Sequence, residues 1–118
     1  RLHDQDAARR LSAKVDRIFA ALADPNRRRA VELLGLRPHS AGELAGALGL
    51  AAPAMSRHLR ALKDGGLVED GHPAFDARIR IYSLKDGATD ELKRWLAETE
   101  ALWAHQLAGF KAHVESGK

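Results

Sequence analysis

Ser56, Arg57, Arg60 and Lys63 fall between Pro53 and the Gly65-Gly66 pair, with Met55, Leu59 and Leu62 interleaved among them. On a helix this spacing separates a cationic face from an apolar one. Guanidinium and ammonium groups presented in this way bind phosphate oxygens, and an arginine can also donate two parallel hydrogen bonds to one guanine edge. A solvated basic helix face has the same composition, so both readings stand on the residues alone. His58 borders the apolar side and fits either a core-edge histidine bonding backbone or a phosphate contact. Arg78 and Arg80 alternate with Ile79 and Ile81, the pattern of a strand with one cationic face. That face suits phosphate or minor-groove contact, and equally an ordinary exposed strand. The run Arg27-Arg28-Arg29 opens a helix, where one of the three can reach a phosphate or all can be solvated.

Other chemistries find little support. The chain has no cysteine, which removes disulfides, thiol redox sensing, cysteine zinc sites and iron–sulfur clusters together. Gly42-x-x-x-Gly46-x-x-Gly49 has the spacing of a phosphate-cradling loop but lies within a helix and turn, not between a strand and a helix. Ser56 and His58 are two apart on one helix and point in different directions. Paired carboxylates, an HExxH motif and a nucleophile elbow are all missing, so the expectation is a protein that is not an enzyme. His105 and His113 are eight apart on one helix face with Glu115 near, which allows a metal site shared across a two-fold axis. Solvated histidines fit the same spacing, and the reading adopted is no metal and no cofactor.

The elements that must position these residues follow from hydrophobic spacing. Leu11, Val15, Ile18, Phe19 and Leu22 mark a first amphipathic helix. Asp24-Pro25 can cap and open a second, which buries Ala30, Val31, Leu33 and Leu34 and ends near Gly35. Arg37-Pro38-His39 reads as a loop. Ser40-Ala41-Gly42-Glu43 is a capping-box pattern opening a short third helix that stops at Gly49. Pro53 opens the fourth, which Gly65-Gly66 ends. Leu67-Val68-Glu69 and Arg78-Ile79-Arg80-Ile81-Tyr82 read as two strands around a loop from Asp70 to Ala77. A last helix from about Thr89 to Val114 carries Leu92, Trp95, Leu96, Leu102, Trp103, Leu107, Phe110 and Val114. A short helix, a turn at Gly49-Leu50 and a cationic second helix make a helix-turn-helix, and the hairpin after it stands where a wing belongs. In that arrangement the second helix enters the DNA major groove.

The 118 residues fit one domain, and 45% hydrophobic with 30% charged residues is globular composition. The net charge of +3 conceals a gradient. Residues 51–85 carry six basic and four acidic groups, whereas residues 86–118 carry four and six. The positive part is the reading part, and such charge draws phosphate. No targeting segment or membrane-length apolar run is visible, so a cytoplasmic location is expected. The chain begins at Arg1, which leaves its true start open.

Several stretches together carry a family resemblance. Ala20-Leu22-Ala23-Asp24-Pro25 with Arg27-Arg28, then Glu32-Leu33-Leu34, resembles the opening of ArsR-type (arsenic-repressor-like) winged helix-turn-helix regulators. Glu43-Leu44-Ala45, Met55-Ser56-Arg57-His58-Leu59 with Leu62, Gly66-Leu67-Val68 and Ile81-Tyr82-Ser83-Leu84 follow in the same order. The similarity spans roughly residues 15–113. It implies a homodimeric DNA-binding repressor released from its operator by a metal or another signal. It also turns the cationic face of the fourth helix toward DNA. The positions that hold the family's cysteine pair carry Ala45 and Ala47 here, and its second metal site falls on Asp86-Gly87-Ala88, where the carboxylate remains but the histidine is gone, and near Thr99 and Leu102, which are not ligands. Ala51 and Ala52 stand where relatives often have a capping Ser or Thr and a polar reader.

The expected fold is therefore mainly α with a small β-hairpin wing, a dimeric winged helix-turn-helix in a single domain over residues 1–118. Residues 11–85 form its DNA-binding core, and residues 1–22 and 89–114 its dimerisation helices. DNA contacts are expected from Ser56, Arg57, His58, Arg60, Lys63, Arg78 and Arg80. The dimer interface is expected from Leu11, Val15, Phe19, Leu92, Trp95, Leu96, Trp103, Leu107 and Phe110. The expected partners are double-stranded DNA bearing a pseudo-palindromic operator and a second copy of the chain, with room for an unidentified small-molecule effector. Two other functions fit the same fold: a ligand-gated sensor, and a protein-interaction module without DNA binding.

Overall fold

Asp24 separates the first two helices by chemistry that its sequence position announces. Its carboxylate accepts hydrogen bonds from the backbone N–H of Asn26 (2.8 Å) and Arg27 (3.2 Å), and Pro25 occupies the first helical position. The computed structural model describes the backbone of residues 2–117 and the side chains of Arg9 and residues 13–117. Within it, α1 runs Leu2–Leu22, α2 Pro25–Leu36, α3 Ala41–Leu48, α4 Ala52–Asp64 and α5 Asp90–Ser116. Three short strands complete the chain: β1 His39–Ser40, β2 Val68–Gly71 and β3 Ile81–Leu84.

The capping box before α3 forms in full. The Ser40 hydroxyl accepts from Glu43 N–H (3.1 Å), and the Glu43 carboxylate accepts from Ser40 N–H (3.0 Å). Gly49 ends α3 in the left-handed region, φ 67°, which lets the chain reverse into α4 within a few residues. Ala51 precedes α4 with extended backbone and no side-chain cap, as its methyl group dictates.

One core draws on every element of the helix-turn-helix. Ile18 and Ala21 from α1, Ala30 and Leu34 from α2, and Leu44 and Ala45 from α3 meet Met55, Leu59 and Leu62 from α4. Leu67 and Val68 close it at the entry to the wing. At the far end of α4, Gly65 lies so close to α1 that a Cβ on it would stand 2.9 Å from the Ala21 methyl.

The sheet corrects three expectations. Its order is β1-β3-β2, all antiparallel, so the wing has a third strand. His39, expected in a loop, and Ser40, expected as a helix cap, pair with Tyr82 and Ile81; a two-residue strand is too short to show a period of two. The hairpin strands also sit further along. Val68 pairs with Leu84 and Gly71 with Ile81. Arg78 and Arg80 therefore precede β3, outside the ladder, and the expected strand over Arg78–Tyr82 begins only at Ile81. The cause is register: burying Val68 against the core fixes β2 and hence its partner.

α5 holds 27 residues, about 40 Å of helix at 1.5 Å per residue. Among its described residues none is buried. The Cα extents, 69 × 37 × 21 Å, reflect this projecting rod.

Candidate nucleic-acid interface

The apolar face of α4 is fully committed to the core, because Met55, Leu59 and Leu62 are all essentially without solvent exposure. The opposite face is therefore outward, and it carries Ser56, Arg57 and Arg60 exposed. Among the described residues, no ion pair or side-chain hydrogen bond holds Arg57 or Arg60. Two guanidinium groups, each with its full set of donors, thus stand on a rigid helix.

Lys63 and Arg80 are placed differently. Lys63 Nζ lies 2.7 Å from Asp70 Oδ1, and Arg80 Nη1 lies 2.6 Å from Asp70 Oδ2. The end of α4 and the base of the wing are thereby joined through one carboxylate. The Asp70 side chain keeps only 9% of its exposure, against 53% for each cation. The hydrogen bond from Lys63 holds its carboxyl below the ordinary value of 3.8, and the charges of Lys63 and Arg80 add to this against the opposing effect of burial. By sequence alone Asp70 stands at the start of a loop and has no role. Its role becomes visible only with the register that sets it opposite Tyr82.

Arg78 belongs to the wing turn. Its backbone N–H and guanidinium both donate to the Asp76 carboxylate, at 2.9 and 3.2 Å, and the side chain is otherwise in solvent. His58 is half-buried, with Nδ1 accepting from Arg27 Nη1 at 3.4 Å. The arginine run divides in a way composition could not show. Arg27 donates to the carbonyls of Ala21 (2.5 Å) and Ala20 (3.1 Å), and Arg28 to those of Leu22 (2.6 Å) and Ala23 (3.2 Å). Both therefore bind carbonyls at and just beyond the end of α1. Arg29 remains exposed.

The residues expected at a dimer interface also divide. Val15 is buried within the chain, and Leu92 packs on the core. Phe19 and Trp95 meet edge to face, with ring centroids 5.2 Å apart. Leu96, Trp103, Leu107 and Phe110 are bare, Trp103 at 68%. The side chain of Leu11 lies outside the described residues. His105 and His113 are exposed on α5, and among the described residues no group of three or more His, Cys, Asp or Glu is placed to hold a metal. Among the same residues no helix is long and apolar enough to cross a membrane.

A short helix, a left-handed glycine turn, an outward cationic helix on an apolar core, and a sheet-based wing define a winged helix-turn-helix DNA-binding protein. Residues 22–70 match the model of a helix-turn-helix domain. The chain is 37% identical over 101 residues to the HTH-type transcriptional regulator Rv2034 of Mycobacterium tuberculosis, covering 86% of this chain and 89% of that one. It is 27% identical to the transcriptional repressor SdpR of Bacillus subtilis, over 70% of this chain and 88% of the relative. An ArsR-like transcriptional regulator from Rhodococcus sp. RHA1 superimposes with a TM-score of 0.72 at 32% identity, covering 85% and 92% of the two chains. The homodimeric winged helix-turn-helix DNA-binding domain Mb0332 of Mycobacterium bovis gives 0.61 at 29%, covering 88% and 89%. The chain belongs to the ArsR family of winged helix-turn-helix transcriptional regulators.

Proposed function

We propose that this chain acts as a homodimeric repressor that binds a pseudo-palindromic operator in double-stranded DNA. The observation that carries the reading is the pair Arg57 and Arg60, unpaired among the described residues on the outward face of α4. Each α4 would enter a major groove, with Arg57 and Arg60 on guanine edges or phosphates and Ser56 beside them. Arg78, Arg80 and Lys63 would meet the flanking backbone. The bare apolar stripe of α5 supports dimerisation, since a lone domain gains nothing by exposing Trp103, Leu107 and Phe110 to water. The homodimeric Mycobacterium bovis neighbour supports the same assembly, and the repressor among the relatives supports the direction of control. Half-sites would then lie roughly 34–36 Å apart or a multiple of it. A protein of this kind works by occluding a promoter in the cytoplasm and performs no catalysis.

Anisotropy of a labelled duplex carrying the DNA upstream of its own gene tests this. Binding should weaken steeply with salt, and Arg57→Ala combined with Arg60→Ala should abolish it. Absent or salt-independent binding would favour a protein-interaction module instead.

One observation favours a ligand-gated variant of the same function. A cavity of about 280 Å³ lies between α1, the turn after α4 and the start of α5, edged by Lys14, Arg17, Lys85, Asp64, Asp86 and Glu91. The ion pair Lys14–Glu91 spans it at 3.4 Å. An effector there would act where α5 leaves the core. Trp95 and Trp103 fluorescence offers the screen, with metals expected to have no effect.

A further inference from the structure

We propose that the groove between α4 and the wing is a seat for one DNA backbone phosphate per protomer, and that Asp70 is its positioning residue. The inference rests on the DNA-binding reading and adds to it a residue of the wrong charge. The groove, about 360 Å³, is lined by Ser56, Arg60, Lys63, Arg80 and Tyr82 together with the carboxylates of Asp64 and Asp70. Ser56, Arg60 and Lys63 are spaced four and three along α4 and so share the face that turns toward the wing.

A carboxylate in such a place ordinarily repels phosphate. Here it is covered by the two cations it binds, one on each oxygen. Lys63 and Arg80 each remain half exposed and keep donors that Asp70 does not use. An arriving phosphate meets the outer sides of two cations already fixed in place, not the anion beneath. Long cationic side chains lose conformational entropy when they bind, and an anchor holding them beforehand reduces that cost. Asp70 also joins β2 to α4 through Lys63.

The opposite view treats Asp70 as a plain electrostatic penalty, and the two views differ in sign. The probe is a fluorescein-labelled duplex carrying the upstream DNA, titrated over a range of salt. Proteins compared are wild type, Asp70→Asn and Glu69→Gln, the last removing an exposed charge from the adjacent strand position. The seat requires Asp70→Asn to weaken binding about threefold to tenfold although it removes a negative charge, while Glu69→Gln holds or tightens it. The salt slope should become shallower by about 0.9 for each phosphate released. Asp70→Asn binding as tightly as Glu69→Gln, or more tightly, overturns the proposal. So does a loss that persists in a Lys63→Gln/Arg80→Gln background, where the anchor has nothing to hold. If Asp70→Asn does not fold, the Lys63→Gln/Arg80→Gln protein decides alone: a shallower slope supports the seat and an unchanged slope overturns it. A wild type that binds no duplex removes the function and the seat together. A wild type that binds through Arg57 and Arg60, with Asp70→Asn unaffected, removes the seat only.

Discussion

Arg27 Nη1 stands 3.4 Å from His58 Nδ1, while the other guanidinium nitrogens reach the carbonyls of Ala20 and Ala21. One side chain of α2 thereby ties the last turn of α1 to the middle of the recognition helix. Arg27→Met keeps the apolar stem and removes every one of these bonds. It should cost about 1.5–3 kcal/mol of stability, the scale of hydrogen bonds from a charged donor, read as a lower urea midpoint with unchanged helix content.

Two glycines should respond in opposite directions to the same methyl group. Gly65→Ala places a Cβ 2.9 Å from the Ala21 methyl and 3.3 Å from the Arg17 carbonyl, so α1 and α4 must part. Overpacking of this kind costs about 1–3 kcal/mol. Gly46 lies inside α3 with nothing within 4 Å of its added Cβ, and Gly46→Ala should stabilise by about 0.5–1 kcal/mol. Thermal melts of the two single variants check both signs.

Ala51 has the extended backbone of an N-cap (φ −68°, ψ 150°) without the oxygen to use it. Ala51→Ser should raise stability by about 1 kcal/mol by accepting a bond from the first turn of α4. Hydrogen exchange at the start of α4 should slow in the same variant.

Acid should loosen the wing, and neutral pH should leave it intact. Asp70 titrates below its ordinary value because Lys63 and Arg80 favour its charged form. Its contribution is complete above the unfolded carboxylate value near 3.8 and is lost as pH falls from there through the lower folded value. The melting temperature of wild type should therefore drop across that acid range more steeply than that of Asp70→Asn, whose curve lacks this component.

Trp103→Glu with Leu107→Glu puts two carboxylates on the stripe of α5 without touching the core. Light scattering after gel filtration should show the wild type as a dimer and this variant as a monomer. A variant that stays dimeric would move the interface elsewhere.

Legibility in the sequence followed the range of the interactions. The Asp24 cap, the Ser40/Glu43 box and the Gly49 turn were readable because each is made within a few residues. Helix faces were readable from spacing, and Met55, Leu59 and Leu62 are buried as their period required. The wing strands were displaced because Ile79-Arg80-Ile81 alternates whether or not it is paired, and only contact with β2 chooses the register. Asp70 and Arg80 are ten positions apart and Asp70 and Lys63 seven, so their meeting needs the turn from α4 into β2. The same holds for Arg27 and Arg28: three consecutive arginines look like a charge run, and only the end of α1 above them gives two of them carbonyls to bind.

If the bare stripe of α5 is the dimer interface proposed above, abundance becomes part of the mechanism. If two chains must meet before both recognition helices can face one operator, the pool of competent protein rises with the square of chain concentration while the chains are dilute. Occupancy of the operator then responds to synthesis and turnover as a threshold, not in proportion. Under the proposed function, small changes in expression would be amplified at the promoter, and Trp103, Leu107 and Phe110 would set where that threshold falls.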